Sequence, residues 1–113
     1  MDLFSALADH NRRRIIEILA SRGQLSASQI SGKFNVSPPA ISQHLKVLRE
    51  AKLVKVAKKA QMRLYRINPD SMSKLEGWAH KMKKVWNYRF DRMDQLLKSG
   101  EKKGGVKWLK ILK

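Results

Sequence analysis

Two helix starts, at Ser26 and Ser37, stand so close together that the first helix must be short. Ser26-Ala27-Ser28-Gln29 is a capping-box pattern, in which a serine hydroxyl and a glutamine amide satisfy free N–H groups at a helix start. It predicts a short helix through about Phe34. Asn35-Val36 predicts a tight turn. Ser37 then caps a second helix with Pro38 at its first position, where the missing N–H costs nothing. Ile41, Leu45 and Leu48 follow at i, i+4 and i+7, one apolar stripe, and the helix is expected to end near Ala51. Two short helices joined by a tight turn make a helix-turn-helix.

The hydrophobic period then changes. Leu53, Val54 and Val56 precede a polar turn, Lys58-Lys59-Ala60-Gln61, and Leu64, Tyr65 and Ile67 follow. This predicts a two-stranded hairpin with a basic tip. Ahead of the helix pair, Asp2 is placed to cap a short helix carrying Leu3, Phe4 and Leu7. Asp9 caps another to about Ser21, with Ile15, Ile18 and Leu19 on one face and Gly23 as its stop. Asn68-Pro69 opens a long helix to about Lys98. Along it Leu75, Trp78, Met82, Val85, Trp86, Met93, Leu96 and Leu97 recur at spacings of three and four, and Ser99-Gly100 is expected to end it. The expected fold is mainly α with a small β-hairpin, a winged helix-turn-helix. Residues 1–98 are expected to form this one domain, with its last helix at about 69–98, and 99–113 a basic tail.

Charge selects the partner. The 113 residues carry 25 Lys and Arg against 9 Asp and Glu, a formal net charge of +16. A chain this basic calls for a polyanion, most commonly nucleic acid. A run of charge alone is commonly a solvated face. Here, however, Lys46, Arg49, Lys52, Lys55, Lys58, Lys59, Arg63 and Arg66 crowd the second helix and the hairpin, against Glu50 alone. A second cluster, Lys98, Lys102, Lys103, Lys107, Lys110 and Lys113, lies in the tail. With 42% hydrophobic residues the chain can bury a core, so it is not a disordered basic tail.

The same sequence argues against other classes. There is no cysteine, which excludes disulfides, thiol catalysis and cysteine metal sites. His10, His44 and His80 fall on three different predicted helices, so no regulatory metal and no cofactor is expected. No Gly-rich phosphate loop occurs, and the only closely spaced carboxylates on the last helix are Asp91 and Asp94, so no enzyme is expected. An architectural or RNA-binding module is the alternative, but the aromatic sheet motifs of RNA modules are missing. No signal peptide or apolar span is predicted, so a cytoplasmic location is expected.

In the second helix, the side away from the stripe carries Ser42, Gln43, Lys46 and Arg49. A helix fits the major groove, where Ser, Gln and Arg read base edges and lysines reach phosphates. His44 falls beside the stripe, a place for packing or for a phosphate contact. The hairpin, as a wing, is placed to reach flanking DNA. The apolar face of the last helix exceeds what the short helices can cover. Its first part serves an intrachain core and the rest pairs with a second copy, which brings two recognition helices to successive major grooves.

Residues 2–9, the run Arg12–Leu19, the run Val36–Val54 and Arg63–Ile67 resemble the ArsR/SmtB family of winged helix-turn-helix repressors. The similarity covers about residues 2–97, and the Ser-Pro-x-Ala-x-Ser-x-His-Leu-x-x-Leu run is its most characteristic part. The resemblance implies a homodimer built from the first and last helices that represses transcription by covering a promoter at a palindromic operator. The DNA-binding set it points to is Ser37, Ala40, Ser42, Gln43, His44, Lys46, Arg49, Lys58, Lys59, Gln61 and Arg63. The dimer set is Leu3, Phe4, Leu7, Trp78, Met82, Trp86, Met93 and Leu97. Two departures stand out. Asp9-His10-Asn11 replaces the family's usual Asp-Pro-Thr, and Ala60-Gln61 stands where the wing tip usually has Gly-Arg, leaving Lys58, Lys59 and Arg63 as wing contacts. The tryptophans of the last helix look like the metal-free branch, in which many members are autorepressors.

Overall fold

The computed structural model of the chain describes residues 1–100. Most of the tail, 101–113, lies outside the described residues. The chain divides into two units, Met1–Glu76 and one that begins at Gly77.

Within the first unit each helix starts on the polar side chain expected. Helix α1 (Leu3–Ala6) is capped by Asp2, whose Oδ1 accepts from the Ser5 N–H at 2.7 Å. Helix α2 (His10–Arg22) is capped by Asp9 and closes on Gly23, whose φ of 87° only glycine adopts at no steric cost. Strand β1 (Leu25–Ser26) leads into α3 (Ala27–Ser31). There the capping box is complete: Ser26 Oγ accepts from Gln29 N–H at 3.1 Å and Gln29 Oε1 accepts from Ser26 N–H at 2.8 Å. Helix α4 (Pro38–Glu50) starts on Ser37, with Ala40 N–H donating to its hydroxyl at 3.3 Å.

The exit from α4 decides where the wing begins. Lys52 N–H bonds to Arg49 O and Leu53 N–H to Leu48 O, both at 2.9 Å. That pair of bonds is a Schellman motif, and Leu48 and Leu53 complete it with fully buried side chains. Lys52 takes the left-handed position at φ 64°. Strands β2 (Val54–Lys59) and β3 (Met62–Ile67) follow. They pair antiparallel from Val54↔Ile67 to Lys59↔Met62, which leaves Ala60-Gln61 as a two-residue turn with Ala60 at φ 56°. Helix α5 (Pro69–Gly100) begins within this unit. Asn68 Nδ2 donates to Lys52 O at 2.9 Å, and the buried Ser71 Oγ donates to the same carbonyl, which anchors the start of α5 to the end of α4.

The core joins Ile15, Ile16 and Leu19 of α2, Ile30 of α3, Ile41, Leu45 and Leu48 of α4, and Leu25, Leu53, Val54 and Tyr65 around the sheet. Met72, on the first turn of α5, packs against it.

Three local expectations are corrected. Helix α3 stops at Ser31, not near Phe34, because Lys33 and Phe34 N–H groups bond to Ile30 and Ser31 carbonyls in tighter i→i−3 turns. Phe34 instead lies half-buried against the core with the Arg14 guanidinium 5.5 Å from its ring centre. The polar turn is two residues rather than four, so Lys58 and Lys59 are strand residues. The sheet has three strands, in the order β1-β3-β2, because Leu25 and Ser26 pair with Tyr65 and Leu64.

Both left-handed positions are held by residues with a Cβ, which is sterically unfavourable there. Lys52→Gly and Ala60→Gly each raise stability by about 0.5–1 kcal/mol, less than the full steric term because glycine loses more entropy on folding. Urea denaturation reads this as a higher midpoint at unchanged slope, and a lower midpoint for either variant contradicts it.

In the second unit α5 continues to Gly100, two residues beyond the expected end. Its described side chains are exposed throughout. Trp78 (51%), Trp86 (57%) and Met93 (57%) belong to one apolar stripe with Met82, Val85, Leu96 and Leu97. Trp86 leans on Phe90 at 6.4 Å between ring centres, and Arg92 donates to Tyr88 Oη at 3.0 Å.

Candidate nucleic-acid interface

Helix α4 is buried on one side only. Ile41, Leu45 and Leu48 are almost fully enclosed, whereas Ser42, Gln43, Lys46 and Arg49 are exposed and make no side-chain hydrogen bond among the described residues. With 3.6 residues per turn, Gln43 sits roughly opposite the buried stripe, at the middle of the exposed arc. Ser42, Lys46 and Arg49 flank it on one side. Ala40 and His44 flank it on the other, both half-buried. Ser37 is exposed at the helix start, where its hydroxyl is engaged as the cap.

His44 is tied into the protein. Its Nδ1 lies 3.3 Å from the Arg12 guanidinium, and Arg12 Nε donates to Ala6 O at 2.7 Å. Arg13 likewise donates to Leu7 O at 2.8 Å, so two arginines of α2 satisfy carbonyls at the end of α1. The Asp9 carboxyl is held below its ordinary value, chiefly by the Arg12 backbone N–H it accepts, with smaller help from the Arg12 charge. Sequence reasoning gave Arg12 no role. Of its side-chain partners, Ala6 O is a backbone carbonyl, Met1 Sδ is a thioether and His44 is 32 residues away, so none leaves a trace in local sequence.

The β2–β3 hairpin contains no acidic residue. Its register sets Lys58 opposite Arg63 and Lys55 opposite Arg66. Like charges facing each other across strands are destabilising by a few tenths of a kcal/mol or more, up to about 1. Val54, Val56, Tyr65 and Ile67 turn one face to the core, and by strand alternation the Lys58–Arg63 pair extends that face beyond it. Lys55, Lys59 and Arg66 lie on the opposite face, and Gln61 is exposed at the tip. Lys55 and Arg66, absent from the expected contact set, thus add a second rung of positive charge. The arrangement is suited to a polyanion that relieves this repulsion.

Of the expected pairing residues, Leu3 and Leu7 are half-buried against the core. Phe4 of α1, and Trp78, Met82, Trp86, Met93 and Leu97 of α5, are exposed. Among the described residues no group of three or more His, Asp or Glu is placed to hold a metal ion. No described helix is long and apolar enough to cross a membrane.

Comparison with known proteins agrees with this geometry. Residues 9–56 match the model of a bacterial regulatory protein family, the arsR family. The chain is 32% identical over 77 residues to the transcriptional repressor SdpR of Bacillus subtilis, spanning 68% of this chain and 84% of that protein. It is 34% identical over 84 residues to the arsenic resistance transcriptional regulator ArsR2 of Pseudomonas putida, spanning 74% of this chain and 70% of that one. Among solved structures, an ArsR-like transcriptional regulator from Rhodococcus sp. RHA1 superposes with a TM-score of 0.74 at 28% identity, covering 89% of this chain and 92% of that chain.

Proposed function

This chain belongs to the ArsR family of winged helix transcriptional regulators, which are DNA-binding proteins and not enzymes, and from that premise we propose a homodimeric repressor acting on a palindromic operator. Helix α4 enters the major groove with Gln43 at its centre. The β2–β3 wing lies on flanking DNA. The observation that carries this reading is the pairing of an unpartnered polar face on α4 with an acid-free hairpin of opposed cations. The exposed stripe of α5, together with Leu3, Phe4 and Leu7 of α1, supplies the pairing surfaces. Residues 1–98 are then one DNA-binding and dimerisation domain, 99–113 a basic tail, and the protein works in the cytoplasm without metal or cofactor.

The roles on DNA separate by experiment. A duplex selected from random DNA by the full chain serves as operator, with a scrambled duplex as control. Gln43→Ala reduces discrimination between them by about 1–3 kcal/mol per lost base contact. Lys58→Ala weakens both alike and flattens the salt slope by about one unit. Equal loss on both duplexes for Gln43→Ala refutes its assignment to base reading.

A further inference from the structure

We infer that Arg12 is a positioning residue for DNA binding: it fixes His44 as a neutral imidazole protonated on Nε2, and that N–H donates to a DNA phosphate oxygen. This rests on the placement of α4 in the major groove proposed above.

The tautomer follows from what each group can do. A guanidinium has donors only and stays charged. At 3.3 Å from Arg12, Nδ1 of His44 can therefore only accept, and the ring proton must sit on Nε2. A doubly protonated ring would set two donors and two positive charges against each other and lose the contact. The guanidinium cannot easily turn away. Its Nε is bonded to Ala6 O at 2.7 Å, which fixes the plane of the group.

Among the described residues Nε2 has no partner, and no buried side-chain nitrogen or oxygen lacks one. Nε2 is therefore reached by solvent. It lies on the flank of α4, away from the central Gln43. A helix in the major groove turns its centre to the bases and its flanks to the backbones, so the acceptor for this N–H is phosphate. Arg12 belongs to α2 and Ala6 to α1, so the donor's direction is set by elements that do not themselves enter the groove.

Nitrogen-15 NMR of the full-length protein at about pH 8 reads the tautomer directly. His44 is expected in the Nε2–H form alone, and an Nδ1–H form overturns the proposal. On DNA, Arg12→Met and His44→Phe each weaken the selected and scrambled duplexes alike, by about two- to tenfold per half-site. The double variant loses no more than either single one, and Arg12→Lys restores part of the loss. Because the donor is neutral, His44→Phe leaves the salt slope unchanged, unlike Lys58→Ala. Additive losses assign Arg12 a purely structural role, and a loss confined to the selected duplex assigns His44 to a base. Either result rejects the proposal, and the effect of Gln43→Ala then tells whether the placement of α4 still stands.

Discussion

Trp86→Glu is expected to turn the proposed dimer into monomers. Sedimentation at micromolar concentration shifts from twice the chain mass to the chain mass. Operator affinity falls by roughly 10²–10⁴-fold, the avidity lost when two linked half-sites become one. The reason lies in the stripe of α5, where Trp86 is 57% exposed beside Met82, Val85 and Met93. Apolar area of that extent is uncommon on a lone surface and gains by burial against a second copy. A glutamate there would have to be desolvated without a partner. Because no described side chain of this part of α5 is buried, the helix content measured by circular dichroism should hold. A variant that remains dimeric places the pairing surface elsewhere, and a wild-type protein already monomeric at that concentration refutes the dimer.

Leu48→Ala should lower the stability of the first unit by about 2–5 kcal/mol, a large share of what a small domain has. Leu48 is fully buried, faces the core from α4, and lends its carbonyl and side chain to the motif that ends the helix. Its loss leaves a cavity at the point where the recognition helix turns into the wing. Leu48→Met keeps the volume and should cost less than about 1.5 kcal/mol. The check is thermal or urea unfolding of the three proteins. Similar midpoints for the alanine and wild-type chains would show that the α4 stripe is not the centre of the core.

Much of the architecture is written locally. Asp2, Asp9, Ser26, Ser37 and Asn68 mark helix starts because a side-chain oxygen can reach an N–H two or three residues on, an interaction that needs nothing distant. The buried stripe of α4 and the exposed stripe of α5 were legible because helical spacing puts like residues on one side. Burial told them apart, since spacing says which residues share a face and not what meets it.

Most of the undetected features depend on partners beyond the immediate neighbours in the chain. Leu25 and Ser26 are too few to show an alternation of two, and only pairing with β3 makes them a strand. Lys52 and Ala60 carry no glycine signal for the left-handed backbone they adopt, which the helix end and the two-residue turn impose. The charges of the wing were plain in composition, but their opposition across the strands required the register. The sequence by itself determined the helix starts, the amphipathic faces and the polyanion-seeking charge, because capping, periodicity and charge are properties of neighbours in the chain. Only the tertiary structure decided that Lys58 faces Arg63 and that Arg12 holds His44, because those contacts exist only after α2, α4 and the hairpin pack around one core.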